Sequence, residues 1–354
     1  MIIAPTGKQY FTRHLMQWHL QENVRELPWK KETDPYKIWL SEIIMQQTRV
    51  EQGMPYYTRF VGNYPTVKHL ASAPDAEVYR LWQGLGYYNR CKNLLETARF
   101  IAYKLNGKFP DTYEEIIKLK GFGSYTAAAI ASFAYKLPCA VVDGNVQRVL
   151  ARFFGMETPV DSSEGKKKIQ SLAQELIDKK QPHLYNQAIM DFGAVVCKPA
   201  APLCSQCVLQ PKCVAYKKEL IHLLPVKAKK TKLTTRYFHF ILLRYKNELW
   251  IQKRNEKDIW LHLHQPYLIE APYALSENEL KQKIKTAASF QWQYEGAEKQ
   301  RLSHQLICSR FYSISLKNKL VLNEQQGTWI ALSELKKIAF PKTVISFFEK
   351  KNYF

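Results

Sequence analysis

Apolar positions recur at helical spacing through the first two thirds of the chain. Phe11, Leu15 and Trp18 open the pattern, and Pro28 ends it. The stretch Tyr36 to Gln52 reads as one helix, with Ile38, Trp39, Ile43, Ile44 and Met45 on its apolar face. Helices continue over residues 64–105 on either side of a turn, Gln83-Gly84-Leu85-Gly86-Tyr87-Tyr88. Asp111 is the expected start of the next helix, with Glu114 at capping-box distance. Val146, Val149, Leu150, Phe153 and Phe154 form a later apolar face, followed by a lysine-rich amphipathic helix over 162–179 and a helix from Leu184 to Val196. No convincing strand precedes residue 215.

The texture changes at Val226. A basic linker, VKAKKTKLTTR, leads into strand-like runs at Tyr237 to Tyr245 and Glu248 to Lys253, joined by a turn at Lys246-Asn247. A helix is expected at 277–288, and strands at Gln291 to Tyr294, Ser309 to Leu316 and around Trp329. Short helices at 333–338 and from Thr343 close the chain. The pattern predicts a mostly α part over 1–225, a linker at 226–235 and a separate α+β domain over 236–354.

The 354 residues carry a net charge of +21, with a pI near 9.5. That excess points to a polyanion, either nucleic acid or an anionic membrane surface. No apolar run is long enough to span a bilayer, and the first residues do not read as a signal peptide, so an intracellular protein is expected. Of seven cysteines, four lie in C-x6-C-x2-C-x5-C: Cys197, Cys204, Cys207 and Cys213. Four thiolates in one loop can close around structural zinc or a [4Fe–4S] cluster, and spacing alone does not separate the two. Cys91, Cys139 and Cys308 read as packing residues.

Two carboxylates stand out. Glu42 lies inside an apolar helical run, where a lone acid is costly unless paired or used. Asp143 sits at a helix mouth in Val142-Asp143-Gly144-Asn145. About twenty residues before it, Gly121 and Gly123 flank Phe122, and Ser124 is placed to cap the following helix. Such a glycine hairpin frees N–H groups for a phosphate without reading a base.

These elements, in this order, resemble the helix-hairpin-helix DNA glycosylases of the endonuclease III superfamily, and within them the MutY type of adenine DNA glycosylase. The matching stretches are RELPW at 25–29, WLSEIIMQQTRV at 39–50, GLGYYNRCKNL at 84–94, GFGSYTA at 121–127, VDGNVQRVLAR at 142–152 and MDFGAVVC at 190–197. The resemblance implies a helical glycosylase domain with its hairpin at about 111–134, a [4Fe–4S] loop over 197–213 and a Nudix-like C-terminal domain that recognises 8-oxoguanine. The expected partner is duplex DNA holding an A:8-oxoguanine or A:G mispair, met by a monomer in a bacterial cytoplasm, at the nucleoid. No membrane partner is expected, and no segment identifies a protein partner such as a sliding clamp.

By the same resemblance, Glu42 protonates adenine N7, and Asp143, with Asn145 beside it, stabilises the cationic sugar. Arg25, Trp29, Met45, Tyr125 and Gln187 form the base pocket. Gln47, Leu85 and Tyr87 fill the gap in the stack. Ser303 and His304 face the opposing lesion, where Leu302 replaces the family's phenylalanine. Lys120 replaces a common proline in the hairpin and is expected to add a phosphate contact. Endonuclease III has a lysine where this chain has Tyr125, and a phenol cannot form an imine. A monofunctional enzyme is therefore expected. The alternatives are a bifunctional endonuclease III-like lyase acting on oxidised pyrimidines and a non-catalytic iron–sulfur DNA-binding protein.

Overall fold

The structure is a computed structural model. It describes residues 5–228, 233–284, 290–319 and 327–353, so part of the basic linker and the end of the helix expected to reach 288 lie outside the described residues. The chain divides into two compact units, Met1–Ala71 with Glu96–Lys230 and Ser72–Leu95 with Thr231–Phe354. Among the described residues, no helix is long and apolar enough to cross a membrane.

The first unit is helical throughout. Its core is built by Phe11, Leu15 and Trp18 of helix Pro5–Gln21, Val149 and Leu150 of Gly144–Phe154, and Ile189 and Phe192 of Pro182–Val195. The expected single helix over 36–52 is instead two, Pro35–Met45 and Val50–Asn63. Gln47 adopts a left-handed φ of 55° between them, which no helix can carry. Met45, on the first helix, packs across the break: a Cβ on Gly53 would lie 2.6 Å from its Sδ.

The hairpin differs from expectation in three details. Its first helix is Tyr113–Ile116, with Thr112 at the N-cap position making no side-chain capping bond and donating its hydroxyl to Glu115 Oε2 at 3.1 Å; this pair lies one residue beyond the Asp111 and Glu114 expected. Gly121 takes a φ of 81°, as a side chain would resist. Gly123 has an ordinary φ of −106° and is itself the N-cap of Ser124–Phe133, so Ser124 is the first helical residue and does not cap.

The second unit is built on a seven-stranded mixed sheet. Its strands are β1 (Thr234–Tyr245), β2 (Glu248–Lys253), β3 (His264–Gln265), β4 (Tyr267–Ala271), β5 (Trp292–Arg301), β6 (Gln305–Ser315) and β7 (Gly327–Ala331). β1 pairs with β6 in parallel, with β4 along Tyr237–Ile241, and with β2 through Arg244 and Tyr245; the remaining pairings are antiparallel. Both faces of β1 are covered. Ile241 and Leu243 join Leu280 and Ile284 on one face, whereas Phe240 stacks on Phe311, which stacks on Phe347 of helix Lys342–Lys350 at 3.8 Å. Burial on two faces explains why β1 reads as a continuous apolar run. β3 and β4 were not expected, being too short to show a period. This separate mixed-sheet unit accords with the Nudix-like domain expected.

Ser72–Leu95 belongs to the sheet unit although it lies inside the helical sequence. Tyr79 packs on His262 at 5.8 Å, the Phe340 amide donates to Gln83 Oε1 at 3.3 Å, and the Tyr87 hydroxyl bonds Ser303 Oγ.

Candidate active site

Glu42 lies on helix Pro35–Met45, 8% exposed, among Ile43, Ile44 and Trp39. Asp34 caps the start of this helix by accepting from the Tyr36 amide at 2.9 Å. Tyr125, in the first turn of Ser124–Phe133, donates its hydroxyl to Glu42 Oε2 at 2.5 Å. Burial pushes the Glu42 carboxyl up to about 7; the Tyr125 hydrogen bond opposes the rise and the Asp143 charge adds to it. Burial also raises the Tyr125 phenol well above its usual value, with the Glu42 and Asp143 charges contributing.

Asp143 is the N-cap of Gly144–Phe154. Its Oδ1 accepts from the Val146 amide at 2.7 Å, and its Oδ2 from Asn145 Nδ2 at 2.7 Å. Burial leaves this carboxyl above its usual range, and the Val146 and Asn145 bonds offset the rise only in part. Asn145 is held in turn by Arg148, whose Nη2 donates to Asn145 Oδ1 at 2.8 Å and to Gly193 O at 2.7 Å. Gly193 is needed here: a Cβ on it would lie 2.6 Å from the Asn145 Cβ.

A cavity in the first unit is lined by Arg25, Trp29, Lys30, Glu42, Gln187 and Asp191, among others. Of the five residues expected to form the base pocket, Arg25, Trp29 and Gln187 line it. Tyr125 meets it only through Glu42, and Met45 is turned away onto Gly53. Gln187 Nε2 donates one N–H to the Lys30 carbonyl at 2.9 Å, which anchors its amide in the cavity wall. Lys30 and Asp191 were missed. Asp191 carried the signal that exposed Glu42, a single acid in an apolar helix.

The residues expected to enter the DNA stack differ among themselves. Gln47 is exposed, and Tyr87 is 47% exposed at a φ of 48°. Leu85 is only 6% exposed, so in this state it is a packing residue and no protruding wedge. Arg90 holds the turn by donating to Gly86 O at 3.3 Å, with its guanidinium 5.5 Å from the Tyr87 ring. Ser303 and His304 are exposed in the tight turn between β5 and β6, closed by the Leu302 amide on Gln305 O at 2.7 Å. Lys120 is paired with Glu96 at 2.5 Å, so the charge expected to meet phosphate is already engaged.

Cys197, Cys204, Cys207 and Cys213 follow helix Pro182–Val195, in a loop of two short 3₁₀ turns. Burial raises the thiols of Cys204, Cys207 and Cys213, and the charge of neighbouring cysteines adds to each rise. Arg152 Nη1 lies 3.5 Å from Cys197 Sγ, while its other donors meet the carbonyls of Lys198, Pro199 and Leu224 at 2.8–3.0 Å. A buried guanidinium with only neutral carbonyls beside a cysteine cluster suits a centre of thiolates. Among the described residues, no three His, Cys, Asp or Glu side chains stand ready to hold a metal ion.

The family described as "HhH-GPD superfamily base excision DNA repair protein" matches residues 40–181. The adenine DNA glycosylase of Buchnera aphidicola subsp. Baizongia pistaciae is 33% identical over 96% of this chain and 96% of its own length. That of Rattus norvegicus is 44% identical over 59% of this chain and 42% of its own. A thermostable thymine-DNA glycosylase structure is 28% identical, with a TM-score of 0.56, covering 60% of this chain and 98% of its own. An endonuclease III structure, in a complex with DNA, has a TM-score of 0.54 at 21% identity over 62% of this chain and 99% of its own, which supports the fold alone. The chain belongs to the adenine DNA glycosylases of the HhH-GPD base-excision-repair superfamily.

Proposed function

We propose that this adenine DNA glycosylase binds duplex DNA, extrudes an adenine mispaired with 8-oxoguanine or guanine, and hydrolyses its N-glycosidic bond. The observation that carries the reading is the buried Glu42–Tyr125 hydrogen bond, with Glu42 on the wall of a cavity and within reach of the Asp143 charge. Glycosidic cleavage needs one carboxyl protonated and one ionised. Glu42, pushed up to about 7, holds its proton near neutrality and delivers it to adenine N7. The C1′–N9 electron pair leaves with the base. Asp143, kept ionised by the Val146 amide and Asn145, stabilises the cationic sugar until water adds to C1′.

Tyr125 stands where an imine-forming enzyme needs an amine, so the chain is read as monofunctional and the endonuclease III-like alternative is not favoured. Gln47 and Tyr87 are each read as residues that enter the vacated stack, a reading supported by the exposure of each. Ser303 and His304 are assigned to the opposing 8-oxoguanine. The four cysteines would hold a [4Fe–4S] cluster. When bound, it supplies a rigid cross-link of the loop and the negative charge that Arg152 faces.

Incubation with an A:8-oxoguanine duplex, scored with and without alkali, tests the reading. Strand breaks only after alkali are expected. Breaks at the same rate without alkali, or no release of adenine, would refute it.

A further inference from the structure

The excision chemistry makes no use of Asp191. It lies on helix Pro182–Val195, only 2% exposed. A carboxylate at that depth is costly unless cations and N–H groups close around it. Arg25 Nη1 reaches its Oδ1 at 2.7 Å, and Lys30 Nζ its Oδ2 at 2.6 Å. Asn23 Nδ2 adds a third bond to Oδ2 at 2.9 Å. All three partners come from the stretch between helices Pro5–Gln21 and Pro35–Met45, which has no helix or strand of its own. One carboxylate therefore pins both ends of the segment Arg25–Lys30, which carries Trp29, onto the helix that carries Gln187.

The anchor has a chemical consequence for Gln187, one helical turn before Asp191. The atom of Gln187 that faces the Lys30 carbonyl, at 2.9 Å, must be the amide nitrogen, because a carbonyl oxygen can only accept. One of the amide's two N–H donors is thus committed to the wall, which holds the amide against flipping. Its Oε1, an acceptor, and its second N–H remain for a base, and the anchored amide cannot exchange their places. Arg25, Trp29, Lys30, Glu42, Gln187 and Asp191 line one cavity, so this polarity faces the place where the acid sits.

We propose that Asp191 is a positioning residue that sets base selection. By holding Lys30, it fixes Gln187 with Oε1 available to the cavity, so that the pocket takes a 6-aminopurine and rejects a 6-oxopurine. An exocyclic amino group donates to Oε1. An exocyclic oxygen would set two acceptors against each other, and buried unpaired polar atoms discriminate strongly. The inference rests on the excision reading given above.

The test compares single-turnover release of adenine and of hypoxanthine from otherwise identical duplexes, opposite 8-oxoguanine. The proteins are wild type, Asp191→Asn, Lys30→Met and the double variant. Thermal unfolding and binding to a duplex holding a tetrahydrofuran abasic analogue are measured alongside. Asp191→Asn is expected to slow adenine release more than about tenfold and to lower the adenine-to-hypoxanthine ratio, with abasic-duplex affinity within about threefold of wild type. In the Lys30→Met background the same substitution should change the ratio less, because the shared anchor is already lost. An Asp191→Asn protein with wild-type rate and ratio would overturn the inference and leave the excision reading standing. So would equal slowing on both bases accompanied by loss of abasic-duplex binding and of thermal stability, since a purely structural role predicts that. A wild-type protein that releases no adenine would overturn the excision reading, and this inference with it.

Discussion

The Tyr125 hydroxyl donates to Glu42 Oε2 at 2.5 Å, joining the hairpin's second helix to an acid 83 residues earlier in the chain. The bond satisfies one carboxyl oxygen and is kept if the acid becomes an amide, whose oxygen also accepts. Burial nevertheless keeps the folded protein's carboxyl up to about 7, against 4.5 when free in solvent. Between those values the folded state holds a proton that the unfolded state has released, so stability falls as pH rises across the window. The full loss, reached above pH 7, is about 3 kcal/mol. Glu42→Gln should therefore abolish base release and raise Tm at pH 8, with little change in Tm at pH 4.5. Unfolding scans at both pH values check this; an unchanged Tm at pH 8 would count against a buried ionisable Glu42.

With Glu42 as the acid of the proposed reaction, the same proton would set the pH dependence of catalysis. Single-turnover base release should decline about tenfold per pH unit above about 7, as Glu42 loses the proton it must give. A profile flat to pH 9 on a saturating duplex would show that another group supplies the proton.

Asp143→Asn separates charge from structure. Asparagine is as good an N-cap as aspartate, so the helix Gly144–Phe154 should keep its start and Tm should fall by no more than a few degrees. The negative charge is lost, and base release should fall at least about a hundredfold. Full activity would remove Asp143 from the chemistry.

Gly123 has an ordinary φ, and a Cβ there would meet nothing within 4 Å. Gly123→Ala should thus leave stability within about 1 kcal/mol. If the hairpin grips a phosphate, the added methyl stands where the DNA backbone must approach, and duplex affinity should drop about tenfold. Fluorescence anisotropy on a non-cleavable duplex reads the outcome; unchanged affinity would move the phosphate grip elsewhere.

The four-cysteine loop is open to direct analysis. Purified protein should be brown and hold roughly four iron and four sulfide per chain. Cys207→Ser should lower that content and Tm together, because Arg152 would face a weaker counter-charge. One zinc per chain with no iron would replace the cluster by the other centre that the spacing permits.

Periodicity carried the helical first unit, the cysteine loop and the main strands, since each depends on residues near one another in sequence. Glu42 and Asp143 were legible because an acid in an apolar run, or at a helix mouth after a glycine hairpin, violates a local rule. Asp191 violates the same rule but was passed over, as its partners Arg25 and Lys30 lie more than 160 residues away. Other features were decided only by long-range packing. The break at Gln47 turns Met45 onto Gly53, the sheet unit takes up Ser72–Leu95, and Leu85 is buried while Tyr87 is exposed. Composition and spacing alone determined that the chain is basic, carries a four-cysteine loop, sets one acid at a helix mouth after a glycine hairpin and buries another in an apolar helical run. Which oxygen Tyr125 bonds, which way the Gln187 amide faces and how far Glu42 rises depend on what is buried against what. Desolvation and hydrogen-bond direction exist only once distant segments have met.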